Sequence, residues 1–265
     1  MRRFRAGLAA LLLVAAAGCG GSGDDEPTDG SPGTPVGSAR TLSERCGSGI
    51  PSGAEVEAVR LPGEEGTTLS AAAFDGGGDT VLVLLHQTGP WGLCGWGRFA
   101  TQAADRGLSS LAVDLCGYGD SVCAEGLESR PEVLVDLAAS YARETMGARR
   151  VVLVGASMGG SETVIAVAGG ARVDAWADLS GPSTWDGVRL LGLADRLRKT
   201  RLPGLVAHAA DDDRLQYAAA RRLARASGAR FLDGASGHGY ELLTDALGLL
   251  LPDGRTLVDF ALDPA

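Results

Sequence analysis

Lysine is almost missing from this 265-residue chain: of 24 basic residues, only Lys199 is not arginine. Aromatic residues make up just 5%, so a core has to be built from Ala, Val and Leu around 40 glycines. Histidine occurs three times, at His86, His208 and His238. No CxxC pair exists and the cysteine spacings are irregular, which argues against the common structural metal sites. No metal is expected. There is no internal repeat. The apolar run at residues 6–18 is too short for a comfortable membrane span. A basic surplus is lacking too: 24 Lys and Arg face 33 Asp and Glu, for a formal net charge of −9. Such a surface repels phosphates and argues against nucleic acid as a partner. What remains is a globular composition, 45% apolar and 22% charged, sized for one sizeable domain.

The N-terminus reads as an address. Met1-Arg2-Arg3-Phe4-Arg5 is a basic start, residues 6–18 are apolar, and the run ends in Ala16-Ala17-Gly18-Cys19. Small residues before a Cys at that point resemble a bacterial lipobox. The resemblance implies that residues 1–18 are a signal peptide and that Cys19 becomes the lipidated first residue. The competing reading is an ordinary secretory signal in which Cys19 is incidental. Residues 19–45 are rich in Gly, Ser, Pro, Asp and Thr, with little to bury, and read as a tether. The expected product is an exported cell-envelope lipoprotein, monomeric, touching the membrane only through its lipid anchor, with a folded domain at 46–265. Setting Cys19 aside leaves an even set of four: Cys46, Cys94, Cys116 and Cys123. In an exported chain two disulfides are plausible, with Cys116–Cys123 and Cys46–Cys94 favoured and Cys94–Cys116 a rival.

Within the domain, 55–61 and 68–75 look like a hairpin. Residues 80–85 form a continuous apolar run, as expected of a strand buried on both faces. The pattern repeats at 109–115, 150–154, 173–179 and 205–209, with helical stretches at 96–106, 133–146, 158–168 and 215–226. Alternation of this kind predicts an α/β fold, a mostly parallel central sheet with helices on both faces. Ligands then bind at the carboxyl ends of the strands.

Gly155-Ala156-Ser157-Met158-Gly159 directly follows one such strand and precedes a helical run. A Ser on a tight strand-to-helix turn needs small neighbours, and the helix N-terminus behind it favours a developing anion. In this context the chain resembles the α/β-hydrolases, in particular serine esterases and dienelactone-hydrolase-like members without a large cap. The family orders its triad as Ser, acid, His. Of the three histidines only His238, in a Gly-His-Gly loop, leaves room for an acid after Ser157. His86 and His208 read as structural groups closing buried strands. Residues 203–213 resemble the family's strand followed by G-x-x-D, with Ala209 in place of Gly, which points to Asp212. Asp211 is the runner-up and Asp178 a remote alternative. The oxyanion hole would take the N–H of Met158 and one from the loop beginning His86-Gln87-Thr88: the resemblance assigns Thr88, but Gln87 replaces the usual Gly and could itself donate. Asp114-Leu115-Cys116-Gly117-Tyr118-Gly119-Asp120-Ser121 resembles D-x-R-G-x-G-x-S, with Cys116 in place of Arg. Trp91, Trp96 and Tyr240 fit either a core or a pocket wall.

The resemblance implies a serine hydrolase that needs no cofactor and acts on small or short-chain esters through an acyl-enzyme. The same triad would serve a thioesterase, a peptidase or a cofactor-free peroxidase. From another class, a surface lipoprotein of the same fold that binds without turnover competes with all of them.

Overall fold

Period-two alternation within the apolar runs decides how the layers form. The computed structural model describes residues 41–264; the leader, Cys19 and most of the tether lie outside them. Chain order begins with a short helix α1 (Leu42–Cys46), then strands β1 (Val56–Pro62), β2 (Thr68–Phe74) and β3 (Thr80–Leu85). Next come α2 (Gly97–Ala104), β4 (Ser109–Val113), α3 (Pro131–Glu144), β5 (Arg150–Ala156), α4 (Met158–Gly169) and β6 (Ala175–Leu179). A two-residue-strand hairpin, β7 (Thr184–Trp185) and β8 (Val188–Arg189), leads to α5 (Ala194–Thr200). The chain finishes with β9 (Gly204–Ala209), α6 (Arg214–Ser227), β10 (Arg230–Gly234) and α7 (Pro252–Leu262).

Eight strands form one sheet in the order β1-β2-β4-β3-β5-β6-β9-β10. β2 runs antiparallel to both β1 and β4, and every other pair is parallel. Every residue of β3, β4, β6 and β9 is buried, because helices cover both faces. Val83, Leu153 and Val206 of β3, β5 and β9 share one core with Leu134, Val164 and Leu223 of α3, α4 and α6. Leu82, Leu84 and Val154 point the other way, onto Phe99 of α2 and Leu257 and Phe260 of α7. The segment from 180 to 203 holds only the β7–β8 hairpin, a 3₁₀ turn and α5, so among the described residues no large cap covers the strand ends.

One boundary differs from the sequence reading, and several elements were not foreseen. Residues 42–45, read as the end of the tether, belong to α1, with Thr41 as its N-cap: Thr41 and Glu44 form a reciprocal capping box, and Arg45 is drawn in by a buried carboxylate. β10, β7, β8, α5 and α7 were not foreseen. β10 is an edge strand that, among the described residues, pairs with β9 alone, and its residues other than Gly234 are exposed or half-buried, so it lacks the continuous apolar signature of its neighbours.

The four described cysteines are joined as Cys46–Cys94 and Cys116–Cys123. The first ties the N-terminal arm to the turn after β3; the second closes a short loop after β4.

Candidate active site

The parallel strands all deliver their carboxyl ends to one edge, and the candidate residues sit there. At the end of β5 the chain turns into α4 within one residue. That residue is Ser157, held at φ +49° and ψ −115°, a backbone region costing on the order of 1–3 kcal/mol for a residue with a side chain. Its surroundings sustain the strain. The Ser157 N–H donates to the carbonyl of Leu179 at 2.8 Å, and the Gly159 N–H donates to that of His86 at 3.1 Å. The flanking glycines are required by space: a Cβ on Gly155 would collide with the Gly159 carbonyl, and one on Gly159 with the Leu85 carbonyl. Ser157 is 8% exposed.

The three aspartates after β9 have three different tasks. Asp213 caps α6, accepting from the N–H groups of Leu215 and Gln216 at 2.7 and 3.0 Å, and these bonds hold its pKa below the ordinary value. Asp211 accepts from the hydroxyl of Ser236 at 2.7 Å and so steadies the loop that follows β10. Asp212 faces that loop: its Oδ2 lies 2.6 Å from Nδ1 of His238. A carboxylate can only accept, so Nδ1 carries the proton and Nε2 is left as the basic nitrogen. Gly239, the next residue, packs close to Ala156: a Cβ placed there would lie 3.3 Å from the Ala156 side chain, one residue before Ser157. The structure thus gathers Ser157, Asp212 and His238 at one edge, while Asp211 has a separate partner.

The remaining candidates are also placed. Met158 opens α4, where the first N–H groups of a helix have no acceptor within the helix, and among the described residues the N–H groups of Gln87 and Thr88 make no backbone hydrogen bond outside helices and strands. The side chain of Gln87 is turned toward Gly239, and its Oε1 is buried without a hydrogen-bond partner among the described residues. Asp178 is fully buried beside α4, accepts from Gly181 N–H at 2.8 Å, and is pushed up to about 7 by burial. Glu162 on α4 is also raised to about 7 by burial, opposed by a hydrogen bond from Trp185. His86 is locked between Gln87 O at 2.7 Å and the Leu115 N–H at 3.1 Å, and burial lowers its pKa. His208 is buried, with Nδ1 3.1 Å from the Ala209 carbonyl. Sequence reasoning gave it no link to the site, yet its Nε2 lies 3.8 Å from Asp212 Oδ2. Trp96 is fully buried with Tyr240 edge-on at 5.5 Å, whereas Trp91 is 55% exposed. Trp91, Arg98, Tyr240 and Glu241 line a cavity of about 490 Å³ flanking the loop of His238.

Strand order, the single antiparallel inner strand β2 and the strained serine turn can now be set beside known proteins. The fold is that of the α/β-hydrolases. An esterase from Exiguobacterium antarcticum superposes with a TM-score of 0.59 at 15% identity, over 78% of this chain and 100% of that one. An esterase from Pyrococcus furiosus gives 0.55 at 14% identity, over 70% and 84%. In sequence, a 2-hydroxy-6-oxononadienedioate/2-hydroxy-6-oxononatrienedioate hydrolase from Burkholderia vietnamiensis is 38% identical over 107 residues. That match spans 38% of this chain and about a third (36%) of the relative. No protein-family model matches the chain.

Proposed function

We propose that the protein is a serine hydrolase of small carboxylic esters, with Ser157 as nucleophile, His238 as general base and then acid, and Asp212 as the carboxylate that orients the imidazole. The observation that carries this reading is the 2.6 Å Asp212–His238 hydrogen bond, on a loop packed beside the strained Ser157 turn. Attack by Ser157 Oγ on the ester carbonyl passes its proton to His238 Nε2. The resulting oxyanion is met by the N–H of Met158 and by that of Thr88, or of Gln87 in its place. Collapse expels the alcohol, which takes the proton back from His238. Water then attacks the acyl-Ser157 ester by the same steps and frees the acid.

Asp212 does not itself take the proton; it fixes the tautomer and stabilises the imidazolium as it forms. A cavity of about 490 Å³ beside the His238 loop is of a size for one compact group. Two disulfides support an oxidising compartment, and no described helix is long and apolar enough to cross a membrane. Export with lipidation at Cys19, a tethered monomeric enzyme and a small-molecule substrate complete the proposal. Replacement of Cys19 by Ala should move the protein from the membrane fraction to the soluble one, and a variant that stays with the membrane would overturn the lipid anchor.

Labelling with a fluorophosphonate probe tests the activity. Wild type should label at Ser157 and hydrolyse p-nitrophenyl acetate, whereas Ser157→Ala and His238→Ala should each lose about 10³-fold or more in kcat with the fold intact. A Ser157→Ala protein that keeps its esterase rate would overturn the mechanism. A folded wild type that neither labels nor turns over would leave the binding lipoprotein as the better reading.

A further inference from the structure

The D-x-R-G-x-G-x-S-like stretch after β4 lacks its arginine, because Cys116 stands there. Asp114 is nonetheless not left alone. Its side chain is wholly buried, and Arg45, a residue 69 positions earlier, grips it with both terminal nitrogens: Nη1 to Oδ2 at 2.5 Å and Nη2 to Oδ1 at 2.7 Å. Oδ1 also accepts from the Leu93 N–H at 2.9 Å. Gly92 and Gly119 leave the space for this pair, since a Cβ on either would strike Asp114 or the Arg45 guanidinium. The next residue, Cys46, is bonded to Cys94, which adjoins Leu93. Farther along the arm, Gly49 packs on the Cys94 carbonyl and against Gly97. The arm therefore reaches the turn at 92–97 by a charge pair with Asp114, whose carboxylate also holds the Leu93 N–H, by a covalent bond and by backbone packing, and that turn closes the loop carrying Gln87 and Thr88. The loop's other end is pinned by His86, whose Nε2 accepts from Leu115, the residue after Asp114.

We infer that Arg45 is a positioning residue for the oxyanion loop, and that the Cys46–Cys94 disulfide keeps it there, so that full turnover requires this bridge to be oxidised. The inference rests on the serine-hydrolase reading above. Without Arg45 the buried Asp114 carboxylate keeps a single N–H donor and has to find water or other partners. Leu93 and Cys94 then shift with it, and the second oxyanion donor is displaced. Such a donor acts on the transition state, so the loss belongs in kcat rather than KM.

The test measures kcat and KM on p-nitrophenyl acetate per active site titrated with a fluorophosphonate. The proteins are wild type, Arg45→Ala, Arg45→Lys, the Cys46→Ser/Cys94→Ser double variant and the Cys116→Ser/Cys123→Ser double variant. Removing an oxyanion donor outright costs about 10²–10³-fold, so a displaced one should cost about 10- to 100-fold in kcat. That loss is expected in Arg45→Ala and in the Cys46/Cys94 variant, with KM changed by no more than about 2-fold. Arg45→Lys should recover part of it, since a lysine keeps the charge without the fork. The Cys116/Cys123 variant should keep its kcat. If Arg45→Ala does not fold, dithiothreitol applied to the Cys116→Ser/Cys123→Ser protein isolates the remaining bridge, and kcat per site should fall and return on reoxidation. Unchanged kcat per titrated site on loss of Arg45 or of the bridge overturns the inference, as does a loss confined to melting temperature or titratable fraction. Failure of wild type to label at Ser157 overturns the hydrolase reading, and this one with it.

Discussion

Three consecutive aspartates, chemically identical, are separated by what each faces. Asp213 looks along α6 and caps it, Asp211 takes the hydroxyl of Ser236, and Asp212 meets the imidazole of His238. Substituting Asn at each position turns this geometry into a kinetic prediction. Asp212→Asn presents an amide where the Nδ1 proton needs an acceptor, favours the wrong tautomer, and should cost about 10³- to 10⁴-fold in kcat on a soluble ester. Asp211→Asn keeps an acceptor for Ser236 and should cost less than about 10-fold, through a looser loop. Steady-state kinetics of the two variants decides the matter, and a larger loss at 211 would mean that the apparent pair with His238 is not the working one. The strand-to-helix turn carrying Ser157 was legible in the sequence because its glycines and the apolar run before it are local, whereas Asp212 and His238 were picked from the order that the α/β-hydrolase resemblance implies. The partnership of Arg45 with Asp114 was not legible, because nothing local to either residue marks a contact across 69 positions. His208 was read as a strand-closing group, and only the folded β9–α6 turn brings its Nε2 to 3.8 Å from Asp212.

Elements with both faces covered were read within a residue or two, because an uninterrupted apolar run leaves little else for them to be. β10, β7 and β8 escaped because edge strands and short hairpins carry mixed burial and no run of their own. The end of β6 shows how an element can carry a titration. Asp178 is entirely buried where β6 meets α4, with one backbone N–H to offset the loss of water, and its pKa rises from 3.8 to about 7. Glu162, one turn into α4, rises in the same direction. A carboxyl that binds its proton more tightly folded than unfolded favours folding below its unfolded pKa. That advantage is lost as pH rises from about 4 through about 7. The melting temperature should therefore fall across this window through these two groups. Asp178→Asn should flatten the slope, and its gain over wild type should be larger at pH 8 than at pH 5. Thermal melts of both proteins at several pH values measure this, and parallel curves for the two would show that Asp178 does not titrate there.

Among the described residues, the candidate site lies at the carboxyl edge of the sheet, with the 41–50 arm clamped beside it and no large insertion over the strand ends. The segment after β6, where caps are inserted in this fold, holds a two-by-two hairpin, a 3₁₀ turn and α5. No long apolar insertion is present to swing aside at a lipid surface. The cavities near the strand ends, about 490 Å³ beside the His238 loop and about 410 Å³ beside Asp178, suit compact groups. Each methylene held in an apolar pocket contributes roughly 1–3 kcal/mol of discrimination, and pockets of this size collect few of them. Activity should therefore peak at short acyl chains, and an N-terminal lipid at Cys19 would hold the enzyme at a membrane without making lipid its substrate. Rates on p-nitrophenyl esters of increasing chain length, below and above their solubility limits, put this to the test. The expected profile declines beyond short chains and shows no jump when droplets form. A rate that climbs with chain length and rises sharply on emulsified substrate would mark an interfacial lipase, and would mean that the hairpin and α5 move far enough to do the work of a lid.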